Sequence, residues 1–125
     1  MIRFRYSAKQ IVHSALEQDT FYWTVVGDPS NSFRQAKART TRPEGIFHFS
    51  VKSPEYRQLL ISRFFDKYDS VPLGAWLTNA VALLEAKAFE GPKAEFVDRG
   101  GGGQTLTIGN QTERITYGYP ARVIE

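Results

Sequence analysis

Hydrophobic and polar residues alternate in several short runs along the first half of the chain. Residues 2–6 alternate between apolar and basic side chains with a period of two, which predicts a strand. Residues 21–26 are aromatic or β-branched throughout, which also predicts a strand. Two further strands are predicted at residues 33–41 and 46–51, joined by a turn that contains proline and glycine. Three consecutive strands with short connections predict an antiparallel meander over residues 21–51.

Helical periodicity predicts three helices, at residues 8–18, 53–68 and 74–89. Ser7 and Gln10 stand at the spacing of a capping box immediately before the first helix. Apolar residues recur at helical spacing along the third helix, which we therefore expect to be the most deeply buried of the three.

The last third of the chain returns to strand patterns. Strands are predicted at residues 93–99, 104–108 and 112–117, and a final edge strand at residues 121–124. Four consecutive glycines at residues 100–103 connect the first two of these strands. The order of elements predicts an α+β fold: one compact domain over the whole chain, with about six to eight short, mainly antiparallel strands packed with about three helices.

The composition excludes several classes of function. The 125 residues include no cysteine, which removes disulfides, thiolate nucleophiles, iron–sulfur clusters and cysteine-bound zinc. No run approaches the ~20 apolar residues of a membrane span, and the first residues lack the apolar core of a secretory signal. We therefore expect a cytoplasmic protein with no membrane contact.

The charges are distributed unevenly. Residues 33–67 contain eight bases and three acids, a local net charge of +5, whereas residues 68–125 carry five bases and seven acids, a net charge of −2. A positive field concentrated on one part of the fold favours an anionic partner. The alternative is that these bases only keep the protein soluble.

Seven of the eight bases in the positive segment, all except Lys52, are the predicted anion-binding and partner-binding residues. They are Arg34, Lys37, Arg39, Arg42, Arg57, Arg63 and Lys67. Lys37 and Arg39 share one face of a predicted strand, and Arg42 lies at the tip of the same hairpin. Each phosphate that such groups neutralise strengthens binding and makes it more dependent on salt.

Consecutive aromatic residues supply a second candidate site. Because Phe21, Tyr22 and Trp23 lie on one predicted strand, at least one ring points to each face of the sheet. A ring exposed beside an arginine would form a stacking platform for a base, so Tyr22, Trp23 and Tyr117 are the predicted stacking residues. The alternative is that these rings fill the core.

Other motifs point to no catalytic chemistry. The glycine run is followed by neither the Lys–Ser/Thr pair nor the helix of a phosphate-binding loop. His13 and His48 have no local companion ligand or nucleophile, so we interpret them as structural or surface residues. Glu85 and Lys87 match part of a nuclease motif but lie in a predicted helix, whereas such nucleases carry these residues on a strand. We therefore assign no catalytic residue, no metal site and no cofactor.

These observations favour a non-enzymatic binding protein, a regulator or an inhibitor, that engages nucleic acid or an acidic protein surface through the basic hairpin and helix. One alternative is a protein that captures a small phosphorylated or nucleotide-like ligand in a pocket at a homo-oligomer interface. A second is an enzyme in which His48, His13 or an acid acts as general base. A third is a structural subunit of a homo-oligomer that pairs through its C-terminal strand, residues 121–124.

Overall fold

The computed structural model describes residues 7–98, 103–109, 111–116 and 121–123. These residues form helices α1 (Ala8–Gln18), α2 (Pro54–Tyr68) and α3 (Gly74–Glu90), and strands β1 (Asp19–Asp28), β2 (Asn31–Arg42), β3 (Gly45–Ser50), β4 (Ala94–Asp98), β5 (Gly103–Ile108), β6 (Gln111–Thr116) and β7 (Ala121–Val123). The α+β fold and the three predicted helices are confirmed. The predicted strand at residues 2–6 lies outside the described residues. None of the described helices is long and apolar enough to cross a membrane.

The first two helices begin with side-chain caps. Ser7 Oγ accepts a hydrogen bond from the Lys9 amide (3.2 Å) and Gln10 Oε1 accepts one from the Ser7 amide (2.7 Å), which confirms the predicted capping box. At the start of α2, Ser53 Oγ accepts a hydrogen bond from the Tyr56 amide (3.2 Å). These bonds satisfy amides that the first turn of a helix otherwise leaves unpaired.

The seven strands form one antiparallel sheet in the order β1-β2-β3-β7-β6-β5-β4. The predicted meander of β1, β2 and β3 is confirmed. The prediction of an edge strand at residues 121–124 is wrong, because β7 lies between β3 and β6 and pairs with both. Since both of its sides are paired, β7 offers no free edge to another chain.

The sheet is curved, so that its two outermost strands approach each other at one point. Trp23 of β1 and Lys93, just before β4, form a parallel bridge in which the Trp23 amide donates to the Pro92 carbonyl (3.1 Å). The two faces of the curved sheet have different surroundings. We call the face that carries Tyr22 the inner face, and the opposite face, which carries Phe21 and packs against the helices, the helix face.

Each face of the sheet has its own hydrophobic core. On the helix face, the core residues of β1–β3 pack against the buried sides of all three helices: the strands contribute Phe21, Ala36, Ala38 and Phe49. On the inner face, the core consists of Tyr22, Ala94, Leu106 and Ile108. The meander is therefore covered on both faces, and polar side chains on its inner face lie close to a second core.

A buried ion pair fastens α2 to the helix face. Arg63 Nη1 and Nη2 donate to Asp19 Oδ2 and Oδ1 at 2.7 and 2.8 Å, and the Asp19 side chain has no exposed surface. The Tyr56 hydroxyl donates to Oδ2 (2.6 Å) and the Thr40 hydroxyl donates to Oδ1 (3.0 Å). Burial, and then the charge of Asp19, raise the pKa of Tyr56, which keeps its hydroxyl protonated as a donor.

Candidate anion-binding site

Polar residues are concentrated on the inner face, where β1, β2 and β3 run side by side. The strand register sets Tyr22 opposite Lys37 and Arg39 opposite His48. Glu113 of β6 reaches the same place and contacts both Arg39 and His48. We call Tyr22, Lys37, Arg39, His48 and Glu113 the inner polar cluster.

A chain of hydrogen bonds orders four members of this cluster. The Tyr22 hydroxyl lies 2.8 Å from His48 Nδ1, and His48 Nε2 lies 3.1 Å from Glu113 Oε2. Arg39 Nε donates to Glu113 Oε1. A carboxylate can only accept, so the proton of a neutral His48 belongs on Nε2, and Nδ1 accepts from Tyr22.

Burial sets the protonation states along this chain. It lowers the pKa of His48 to about 4, assisted by the charges of Lys37 and Arg39 and opposed by Glu113. Burial, followed by the negative charge of Glu113, raises the pKa of Tyr22. Near neutral pH the Tyr22 phenol in this hydrogen-bond chain is therefore protonated and the His48 imidazole is neutral.

Lys37 differs from its neighbours because none of the described acidic side chains pairs with its charge. It is half-buried, and burial lowers the pKa of its ammonium group. No acidic side chain in the described ranges forms an ion pair with it, whereas Arg39 is paired with Glu113. A half-buried cation without a counterion is costly, and a bound anion would remove that cost.

The other predicted bases of the hairpin point away from this cluster. Arg34 and Arg42 lie an odd number of residues from Lys37, so the alternation of β2 places them on the helix face. The Arg34 guanidinium carbon lies 5.4 Å from the centre of the Trp23 ring and 4.6 Å from that of Phe89. Arg42 Nε lies 3.4 Å from a carboxylate oxygen of Glu44.

The predicted bases of α2 are dispersed as well. Arg63 is bound to Asp19, and Lys67 Nζ lies 5.6 Å from the centre of the Tyr68 ring. Arg57 lines a shallow depression beside α3 that also contains Glu85. Of the seven predicted anion-binding residues, the structure thus brings only Lys37 and Arg39 together on the inner face.

The predicted stacking residues have different environments. Tyr22 is completely buried, so the prediction that it stacks on a partner is wrong: its ring belongs to the inner-face core and its hydroxyl binds His48. The Trp23 ring has Lys93 5.7 Å from its centre in addition to Arg34, and its Nε1 donates to the Gly91 carbonyl (3.1 Å). Tyr117 lies outside the described residues.

Two residues of the cluster were missed or undervalued by sequence reasoning. Glu113 carries no local signal in the sequence, because its role depends on β6 lying across the inner face from β3. His48 is the general base in the enzyme alternative, but only 2% of its side chain is exposed, so a substrate has no direct access to its ring. The sequence contains one signal for the position of His48: it lies between Phe47 and Phe49 on a strand, so its side chain points to the opposite face from theirs.

The described residues contain no group of three or more histidines, aspartates or glutamates placed to hold a metal ion. In comparisons with protein-family models, with curated proteins and with solved structures, no match to the chain was found. The function must therefore be inferred from the geometry of the cluster.

Proposed function

We propose that this protein binds a small anionic ligand, through a phosphate or carboxylate group, at Lys37 and Arg39 of the inner polar cluster. The observation that carries the proposal is the half-buried ammonium group of Lys37, which has no acidic partner among the described side chains. The anion would supply the missing counterion in a site of low dielectric, where an ion pair is stronger than on an open surface.

Arg39 is suited to act as the second ligand-binding group. Its bond to Glu113 uses Nε, and a guanidinium also carries donors on both Nη atoms. Glu113 holds the guanidinium in place and is itself held by His48. The position of the Arg39 guanidinium is therefore restricted before the ligand arrives, which lowers the entropy cost of binding.

The placement of the two bases favours a small ligand over a polymer or a protein surface. Lys37 and Arg39 are half-buried and lie beside the completely buried Tyr22, whereas Arg34 and Arg42 are exposed on the other face of the same strand. A nucleic-acid backbone needs several cations along one open surface. The geometry supports the small-ligand alternative better than binding of nucleic acid or of an acidic protein.

The proposal is tested by titrating the protein with inorganic phosphate, with acetate and with a short single-stranded DNA, using calorimetry and backbone-amide NMR. We expect at least one of the small anions to bind and to shift amide signals of β2 and β3. Lys37→Gln should weaken that binding on the order of tenfold or more, since a charge-assisted contact is lost. Lys87→Gln, which removes an exposed lysine of α3, is the matched control and should bind like the wild type.

The pH dependence of binding has a defined sign. Because the charged form of Lys37 binds the anion and burial lowers the pKa of this group, affinity should fall as pH rises through that lowered pKa. The proposal is contradicted if Lys37→Gln binds the small anions as tightly as the wild type does, or if DNA binds while both small anions fail to bind.

A further inference from the structure

A second concentration of positive charge lies on the opposite side of the sheet from the inner polar cluster. A cleft of about 320 Å³ opens between α1 and the C-terminal end of α2. The side chains that line it and carry the argument are Lys9, His13, Ser14 and Glu17 of α1, and Lys67 and Tyr68 of α2. The volume falls at the lower end of the range of small-ligand pockets, roughly 300–1,000 Å³.

Helix geometry explains why these groups meet. Lys9 and His13 are four residues apart, so they project from the same side of α1. Lys67 lies in the last turn of α2, where its ammonium group is 5.6 Å from the centre of the adjacent Tyr68 ring. The Tyr68 ring is held against Phe64 with ring centres 4.7 Å apart, which gives one wall of the cleft a fixed position.

The positive charges of this cleft are available to a ligand. Neither Lys9 nor Lys67 forms an ion pair with any acidic side chain in the described part of the chain, and both residues are exposed. The first turn of α1, which contains Lys9, also carries the positive end of the helix dipole. Because Lys9 and Lys67 both line the cleft and the positive end of the α1 dipole borders it, the cleft favours an anionic group.

The remaining lining groups indicate what the rest of the ligand contains. His13 and Ser14 can donate hydrogen bonds to phosphate oxygens, whereas the Glu17 carboxylate can only accept. Glu17 lies one helical turn beyond His13 and also lines the cleft. Because its carboxylate is negative, it would repel a second anionic group and accept hydrogen bonds from hydroxyl groups. We propose that this cleft binds a sugar phosphate, with the phosphate between Lys9 and Lys67 and the hydroxyl groups directed toward Glu17.

Backbone-amide NMR with three probes tests this proposal. Glucose 6-phosphate should shift the amide signals of residues 9–17 and 67–68, inorganic phosphate should shift the same signals with lower affinity, and glucose should leave them unchanged. In the double variant Lys9→Gln, Lys67→Gln, affinity for glucose 6-phosphate should fall on the order of tenfold or more. Both lysines are exposed, so the variant should keep the wild-type fold, and its amide spectrum verifies this.

A charge-matched control distinguishes binding at the cleft from a general effect of the protein's net charge on affinity. The double variant Lys52→Gln, Lys87→Gln removes the same charge from exposed positions outside the cleft and should retain the wild-type affinity. The proposal is overturned if the control and cleft variants lose affinity at the cleft equally, or if glucose 6-phosphate leaves the amide signals of residues 9–17 and 67–68 unshifted.

Discussion

Asp19→Ala is expected to destabilise the protein by about 3–5 kcal/mol, the cost of leaving one partner of a buried ion pair uncompensated. The substitution removes the acceptor of both Arg63 nitrogens and leaves the Tyr56 and Thr40 hydroxyl groups without the carboxylate they donate to. Since a domain of this size has only about 5–15 kcal/mol of net stability, the loss is a large fraction of the total. Urea unfolding followed by circular dichroism measures it.

The matched control is Asp66→Ala, which removes an exposed carboxylate from α2 and should change the free energy of unfolding by no more than about 0.5 kcal/mol. If Asp19→Ala fails to fold, Asp19→Asn provides the second measurement, because it keeps the side-chain shape and removes only the charge and one strong acceptor. Equal effects of the Asp19 and Asp66 substitutions would show that the buried pair does not hold α2 to the sheet.

The second large effect is a dependence of stability on pH that originates at His48. Its pKa is about 4 in the folded protein and roughly 6.5 in an unfolded chain, so the unfolded state binds more protons between these values. The stabilising contribution is therefore complete above about pH 6.5 and is lost as the pH falls toward 4. Between about pH 7.5 and 4.5 the loss amounts to about 2–3 kcal/mol.

Comparison with His48→Gln isolates this contribution from that of the carboxylates. The wild type should lose about 2–3 kcal/mol more than the variant over this pH interval, as measured by urea unfolding at a series of pH values. Imidazole ¹⁵N NMR of the wild type gives a direct second readout: Nδ1 should remain unprotonated at about pH 5.5. A His48 ring that titrates near its ordinary pKa of roughly 6.5 would contradict the prediction.

Local features of the fold could be predicted because neighbouring residues determine them. Ser7 and Gln10 form the predicted capping box through contacts within one turn of chain. The alternation of β2 correctly separates Ala36 and Ala38 from Lys37 and Arg39 because side chains alternate across any strand. Such patterns establish which residues share a face.

The direction in which a face points depends on contacts that local patterns do not contain. The face of β2 that carries Lys37 and Arg39 is an inner face because β5 and β6 lie across from it. These two strands are more than sixty residues farther along the chain. The same pairing places Tyr22 in the core and gives His48 its carboxylate partner, Glu113. The position of β7 between β3 and β6 also follows from sheet order rather than from its own sequence.

This difference explains why net charge alone was a poor guide to the site. Eight bases within residues 33–67 indicated one extended basic surface. In the fold, Arg63 is neutralised by Asp19, Arg42 lies beside Glu44, and the bases that remain occupy different faces. What distinguishes Lys37 is its burial without a described counterion, a property that only the tertiary structure defines.

The pKa of the Lys37 ammonium group, followed by ¹³C NMR of labelled lysine side chains with and without phosphate, tests the central proposal most directly. The Lys37→Gln variant identifies the signal, and sodium chloride at equal ionic strength controls for screening. Lys37 should titrate below the ordinary lysine value of roughly 10.4 in the free protein, and phosphate should raise its pKa whereas chloride should not. An ordinary pKa that phosphate leaves unchanged would contradict the assignment of the inner polar cluster as an anion-binding site.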